Sequence, residues 1–197
     1  MPMTTKGTNG DHDAVERLLQ SMGEDPNREG LRDTPARVRK AWAFFSSGYG
    51  VKPESVLKTF GDGAEGTDEM VFQGSIPLWS MCEHHMLPFW GVAHIGYLPA
   101  KRVLGLSKFS RLVDVYARRL QVQERMTTQI ADALMEHLSP LGCGVVLQCR
   151  HSCMEARGVQ RAGSVTTTTA LRASFKDHAG ARDEFLSLVR MEGGKQW

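Results

Sequence analysis

Two clusters of cysteine and histidine, far apart along the chain, place the strongest constraint on how this sequence can fold. The first is Cys82-Glu83-His84-His85 and the second is His151-Ser152-Cys153. Thiolates and imidazoles at such spacings are zinc ligands, and Cys82, His85 and Cys153 would fill three of the four positions around the ion. The remaining position is then open to a reactive water, as in catalytic zinc sites. The fold should therefore bring the two clusters together.

The cysteines also have a simpler interpretation. Cys82 and Cys153 can pack as ordinary core thiols, or pair as a disulfide in an oxidising compartment. However, residues 1–13 are polar and contain no apolar segment of the kind that a secretory signal requires. Four cysteines without such a signal fit a reducing compartment, so we expect a cytoplasmic protein. Cys143 and Cys149 have no histidine nearby and are assigned to structure.

Length and composition narrow the class of protein. A chain of 197 residues fits one domain with a substantial core. The net charge of +2 does not mark a nucleic-acid-binding protein, and no apolar run approaches the ~20 residues of a membrane span. We therefore expect neither nucleic acid nor membrane as a partner.

Apolar periodicity predicts an order of helices and strands. Helical spacing marks 15–22, 35–47, 108–120, 122–138 and 185–189, with Thr34 and Ser107 as expected N-caps. Extended runs mark 70–81, 91–98, 145–149 and 165–171, and residues 61–69 have the composition of a surface loop. This order predicts an α+β fold, with helices on one face of an antiparallel sheet.

Other polar residues near the clusters suggest chemistry. His84 and His151 lie within two residues of an expected ligand, and neutral imidazoles there can move protons near pH 7. They could equally support a ligand by hydrogen bonding. Glu83 could orient a ligand or a water, or cap the turn. Lys108 and Arg111, on the first turn of a helix, suit a phosphate, although such basic pairs are more often solvated surface.

Several blocks of sequence resemble the signature motifs of the GTP cyclohydrolase I family. They occur in the family's order between about Leu31 and Arg190: Cys82-Glu83-His84-His85-Met86-Leu87-Pro88-Phe89, Gly105-Leu106-Ser107-Lys108, Gln121-Val122-Gln123-Glu124-Arg125, His151-Ser152-Cys153-Met154 and Arg157-Gly158.

The resemblance implies a fold, an assembly and a reaction. The fold is the tunnelling fold (T-fold), in which subunits join four-stranded antiparallel sheets into a barrel, and two stacked pentamers form a homodecamer. The reaction is the zinc-dependent conversion of GTP to 7,8-dihydroneopterin triphosphate and formate, with one zinc ion per subunit. This would be the first step of pterin synthesis, and the sequence leaves open whether tetrahydrofolate or tetrahydrobiopterin is the end product.

The resemblance also implies roles for individual residues. Cys82, His85 and Cys153 match the zinc ligands, His84 and His151 match residues that transfer protons, and Ser107 matches a hydroxyl near the ribose and phosphates. The substrate-binding residues are Glu124 for the guanine, Lys108, Arg111 and Arg157 for the triphosphate, Gln123, and Arg37 and Lys40 contributed by a neighbouring subunit. Guanine would be selected because adenine lacks the pair of donors that Glu124 accepts.

The expected organisation is a polar N-terminal segment with a short helix over 1–30, followed by the catalytic domain over 31–197. One departure from the family is Val92, where many members carry lysine. Two other classes of protein remain open. One is a zinc-stabilised ring without catalysis, and the other is an enzyme of the same fold that uses a cysteine nucleophile and no metal at Cys82 and Cys153.

Overall fold

The structure is a computed structural model that describes residues 9–61 and 66–192. Its helices are α1 Asn9–Ser21, α2 Thr34–Phe45, α3 Pro53–Val56, α4 Ser107–Ala117, α5 Gln123–Leu138, α6 Ser152–Glu155, α7 Ser174–Asp177 and α8 Ala179–Glu192, with a 3₁₀ helix at Ser47–Gly50. Its strands are β1 Thr59–Phe60, β2 Val71–Cys82, β3 Pro88–Leu98, β4 Val103–Leu104, β5 Leu120–Gln121, β6 Gly142–His151 and β7 Val165–Ala173. In this described part, no helix is both long and apolar enough to cross a membrane.

The main sheet has five strands in the order β5-β2-β3-β6-β7. The four long strands are antiparallel neighbours, as the sequence predicts. β2 has the length of its predicted run, and β3, β6 and β7 are longer than theirs. The two-residue strand β5 pairs with the end of β2 in parallel, with Cys82 opposite Gln121. The sheet therefore differs from the expected four-stranded antiparallel one by this fifth strand. A two-residue strand has no periodicity that a sequence pattern could reveal.

Helices cover both faces of the sheet, so the prediction of helices on one face is wrong. Along β6, Val145 and Leu147 belong to the main core beneath α4 and α5. Val146 points the opposite way, because side chains alternate along a strand, and it packs with Phe185 and Val189 of α8. The sequence shows α8 as an amphipathic helix but does not show which face it covers.

A pair of glycines makes room for α8. Gly96 on β3 lies opposite Gly144 on β6, and the ring of Phe185 lies against both. A Cβ atom on Gly144 would lie 2.6 Å from Phe185 Cε1, and one on Gly96 would lie 2.8 Å from Phe185 Cδ2. The missing side chains thus form the seat in which the fully buried Phe185 anchors the last helix.

We expect Gly144→Ala to lower the free energy of unfolding by about 1–3 kcal/mol, the usual cost of overpacking a close-packed core. The new methyl group would also lie 2.9 Å from the ring of Phe175. Phe175 and Phe185 are both fully buried, so neither ring can move away without displacing other core side chains. Chemical denaturation followed by circular dichroism measures the change. Gly180→Ala on α8 is the matched control, because a Cβ there meets no atom within 4 Å. Equal stability of the two variants would contradict this packing.

The ends of several predicted elements differ in the structure. The predicted N-cap Thr34 is instead the first residue of α2, and Asp33 precedes it as the cap. The predicted N-cap Ser107 is likewise the first residue of α4, because Leu106 already has helical torsion angles. Of the predicted loop over 61–69, residues 62–65 lie outside the described residues. Val92, the one departure from the family noted in the sequence, is fully buried on β3.

Candidate metal centre and its surroundings

A tight turn between β2 and β3 presents the first two candidate ligands. The turn is closed by hydrogen bonds from the Cys82 N–H to the Leu87 carbonyl (2.9 Å) and from the Met86 N–H to the Cys82 carbonyl (2.8 Å). Met86 has a φ of 54°, the left-handed conformation that reverses the chain here. As a result, Cys82 Sγ lies 3.9 Å from His85 Nδ1.

The third candidate ligand comes from the end of β6. Strand β3 lies between β2 and β6, and Phe89 pairs with His151, so the end of β6 lies beside the turn. The one-turn helix α6 follows directly, and the Ser152 hydroxyl donates to the Pro88 carbonyl at 2.5 Å. Cys153 is thereby brought to the turn, and the ligand atoms of Cys82, His85 and Cys153 all lie within 4.8 Å of one another.

These three side chains could hold a metal ion. Tetrahedral zinc with bonds of about 2.0–2.3 Å keeps its ligand atoms roughly 3.5 Å apart, close to the separation of Cys82 and His85. Burial, and then the neighbouring Cys82 thiol, raise the pKa of Cys153. Two adjacent thiols in such surroundings need a cation to become thiolates together, which fits a site made for a metal.

The other two cysteines are structural, as predicted. Burial raises the pKa of Cys143 to about 12 and that of Cys149 to about 12. Both are inside the main core, and the Cys143 thiol contacts the Ala131 carbonyl at 3.5 Å. Neither belongs to the metal cluster found among the described residues.

Two basic or imidazole side chains lie next to the cluster. Arg157 Nη1 is 2.8 Å from His85 Nε2, so the structure places a guanidinium beside the candidate metal ligands. The His84 ring is exposed, and its centroid is 6.4 Å from that of His85. Arg150 donates twice to Glu155, at 2.8 and 2.6 Å, and this ion pair fastens α6 to β6.

His151 is held by two contacts that sequence patterns did not reveal. Its ring stacks on Phe89 with centroids 4.7 Å apart and planes 10° from parallel. Its Nε2 atom lies 2.8 Å from Gln123 Oε1, at the start of α5. Burial lowers the pKa of His151, and the charge of Glu124 opposes that shift. The first turn of α5 therefore adjoins the metal cluster.

Glu124 is exposed at this helix start, where the helix dipole favours a carboxylate. Its neighbour Arg125 forms an ion pair with Glu83 in the turn between β2 and β3, and it donates to Gln121 Oε1 at 3.1 Å. Arg125 lowers the pKa of the Glu83 carboxyl through a hydrogen bond. Through this ion pair, Glu83 joins the turn between β2 and β3 to α5.

The basic residues of α4 form a concentration of positive charge. Ser107 is exposed at the first residue of α4. Desolvation lowers the pKa of Lys108, and the charges of Arg111 and Lys58 lower it further. Lys58 was not predicted, because it reaches α4 only through the pairing of β1 with β4. Arg111 also lines a cavity of about 160 Å³ beside Asp114 and Arg118.

Arg37 and Lys40 lie elsewhere in the chain. Both are exposed on α2, which packs mainly against α1 and the 3₁₀ helix. Arg37 forms an exposed ion pair with Asp33 at 3.2 Å. The structure of one chain therefore brings together the predicted metal ligands, His84, His151, Gln123, Glu124 and Arg157, and leaves Arg37 and Lys40 on a separate surface.

Comparison with known proteins gives a consistent family. The chain is 54% identical over 174 residues to GTP cyclohydrolase 1 of Nitrosospira multiformis, covering 88% of this chain and 91% of that protein. It is 53% identical over 174 residues to GTP cyclohydrolase 1 of Janthinobacterium sp., covering 88% of each chain. It is 52% identical over 180 residues to GTP cyclohydrolase 1 of Corynebacterium glutamicum, covering 90% of each chain. A crystal structure of the archaeosine synthase QueF-Like in the apo form matches 52% of this chain and 91% of that chain at 17% identity, with a TM-score of 0.42.

The family model for GTP cyclohydrolase I matches residues 12–190. This match contains every predicted site residue and begins within α1, closer to the N-terminus than the motifs seen in the sequence. With a model that spans nearly the whole chain and relatives above 50% identity, the chain belongs to the GTP cyclohydrolase I family.

Proposed function

We propose that Cys82, His85 and Cys153 hold one zinc ion per subunit, and that the surrounding residues carry out the reaction of the family on GTP. As a member of that family, the chain is an enzyme that converts GTP to 7,8-dihydroneopterin triphosphate, the first step of pterin synthesis. The observation that carries the proposal for the site is the convergence of the three ligand atoms beside His151 and the start of α5. A bound zinc ion supplies Lewis acidity, which lowers the pKa of a water at its open position.

Recognition of guanine is assigned to Glu124. A carboxylate can accept hydrogen bonds from both the N1–H and the 2-amino group of guanine, whereas adenine offers an unprotonated N1 and no 2-amino group. The position of Glu124 supports this role, because its charge acts on His151 and so lies close to the reacting end of the site. Rejection of ATP follows from the acceptor that adenine would leave unpaired.

Binding of the triphosphate is assigned to Lys108, Arg111 and Arg157, with Ser107 contacting the ribose and phosphates. Desolvation, and then the charges of Arg111 and Lys58, lower the pKa of Lys108, and this supports an anion there, since an anion relieves the repulsion between these cations. Arg157 lies beside His85, near Pro88 at the start of β3. Helix α4 begins near the other end of that strand, where Phe109 packs against Tyr97, so one triphosphate would contact both groups only if Lys108 and Arg111 come from a different subunit than Arg157. Proton transfer during opening of the imidazole ring and loss of formate is assigned to His151 and His84.

Arg37 and Lys40 are assigned to the active site of a neighbouring subunit in a homodecamer. Their exposure on α2, away from the metal cluster of their own chain, supports a contribution in trans. The sheet also ends at β7, whose outer edge pairs with no strand among residues 9–61 and 66–192. An edge strand of nine residues can pair with another chain, so a barrel of joined sheets would cover this edge.

Two further assignments belong to this proposal. Residues 31–197 form the catalytic domain, preceded by the segment 1–30. The protein works in the cytoplasm, where a reducing environment keeps Cys82 and Cys153 as free thiols that zinc can bind.

The test is to incubate the zinc-loaded protein with GTP and to follow formate release together with the pterin chromophore. We expect equal amounts of both products, loss of both after chelation, and recovery on adding zinc, because the bound ion would lower the pKa of the attacking water. ATP in place of GTP should give neither product. Formate without pterin would contradict the later steps, and neither product from protein with bound zinc would contradict the catalytic role.

A further inference from the structure

The side-chain amide of Gln123 has only one orientation that satisfies its surroundings. The residue is buried at the start of α5, and its Nε2 atom lies 3.1 Å from the Leu147 carbonyl oxygen and 2.9 Å from that of Thr166. Carbonyl oxygens only accept hydrogen bonds, so the NH₂ group must face β6 and β7. Reversing the amide would set its oxygen against two buried carbonyl oxygens. The Oε1 atom therefore points towards His151.

Two threonine hydroxyls reinforce this direction. The Thr127 hydroxyl donates to the main-chain carbonyl of Gln123 at 2.7 Å, which uses its single hydrogen. Thr168 Oγ1 lies 2.6 Å from Thr127 Oγ1, so Thr168 must be the donor in that pair. Thr168 Oγ1 then has lone pairs for the Gln123 NH₂ group, 3.1 Å away. Every donor and acceptor in this buried network is consistent with the same amide orientation.

The network decides which nitrogen of His151 carries hydrogen. Gln123 Oε1 has no hydrogen to give, and it lies 2.8 Å from His151 Nε2. Nε2 must therefore donate, whether the imidazole is neutral or protonated. Stacking on Phe89, with the planes 10° apart, fixes the plane of the ring in which this hydrogen bond is made. The hydrogen on Nε2 is thus held in the bond to Gln123, and Nδ1 is the nitrogen left to gain or lose a proton.

We propose that His151 exchanges protons with the substrate through Nδ1 alone, and that Gln123 is the positioning residue that keeps hydrogen on Nε2. This inference deepens the proposed function, since it rests on His151 as a proton-transfer residue. Gln123 was predicted from the family resemblance to bind substrate. Its amide contacts in this chain assign it a role that acts through His151.

Nitrogen NMR of the zinc-loaded protein with ¹⁵N-labelled histidine tests the assignment without measuring turnover. The chain has seven histidines, and the signals of His151 are identified by their loss in His151→Asn. We expect Nε2 of neutral His151 to show the shift of a protonated nitrogen and Nδ1 that of an unprotonated one. A neutral His151 with hydrogen on Nδ1 would overturn the proposal. Because the spectrum needs no substrate, this result stands apart from any failure of the GTP reaction.

The variant Gln123→Met tests the positioning role, because it keeps the side-chain length and removes the amide. We expect both neutral tautomers of His151 to appear in the spectrum and kcat to fall about 10- to 100-fold, with KM and zinc content little changed. A single Nε2–H tautomer and unchanged kcat in this variant would overturn the role of Gln123. If the variant does not fold, two measurements still decide the assignment of Nδ1. They are the wild-type spectrum and the activity of protein that carries Nδ1-methylhistidine at position 151.

Replacing His151 by Nδ1-methylhistidine blocks the proposed exchange directly. We expect turnover of GTP to drop to that of His151→Ala, a loss of about 10²- to 10⁴-fold for a proton-transfer residue, with zinc retained. Turnover close to that of the unmodified protein would mean that Nδ1 takes no part in the exchange, and would overturn the proposal.

Discussion

Cys153→Ala is expected to abolish formation of the pterin and to reduce bound zinc to a small fraction of one ion per subunit. The substitution removes one of the three protein ligands and leaves two that lie on a single turn. A site of this kind has no spare donor, because no further His, Cys, Asp or Glu joins the cluster within the described ranges. Metal analysis of the purified variant and the formate and pterin assay measure the two losses.

Cys149→Ala is the matched control, since Cys149 lies on β6 a few residues before Cys153 but faces the main core. It should retain both zinc and turnover, with only the modest loss of stability that removing a buried thiol causes. A Cys153→Ala protein that binds a full equivalent of zinc and turns over GTP at the wild-type rate would refute the ligand assignment.

Glu124→Ala is expected to lower kcat/KM for GTP by about 10²- to 10⁴-fold while zinc content is unchanged. Two hydrogen bonds to a charged acceptor are lost, each contributing about 1.5–3 kcal/mol. The side chain lies outside the metal cluster, so the ion should be unaffected. Steady-state kinetics and metal analysis on the same preparation separate the two effects.

Glu136→Ala provides the comparison for Glu124, because Glu136 is an exposed carboxylate near the other end of the same helix. Its removal should leave kcat/KM unchanged. If Glu124→Ala also had no effect on kcat/KM, the assignment of guanine recognition would be wrong.

Much of the metal cluster could be predicted from the sequence. Cys82 and His85 are close along the chain, so one turn suffices to bring them together, and extended runs of residues identified the strands on either side. Cys153 follows a later strand of the same sheet. What made the prediction work is that β3 pairs with both β2 and β6, so that Phe89 lies opposite His151.

Other features depend on register and packing, which a sequence pattern does not contain. Gly96 and Gly144 are unremarkable in the sequence, and only their pairing across two strands creates the seat for Phe185 and places α8 on the second face. Lys58 likewise comes near Lys108 only because β1 pairs with β4. The role of Gln123 required the positions of two carbonyl oxygens from separate strands.

The contrast among the four thiols has a practical consequence for chemical labelling. Cys143 and Cys149 are buried with pKa values of about 12, so alkylating reagents, which react with thiolates, should leave them unmodified in the folded protein. Cys153 is more accessible, and zinc would shield it together with Cys82. Mass spectrometry counts the alkylated cysteines, and a lower count indicates that more of the metal sites are occupied. The measurement needs no substrate.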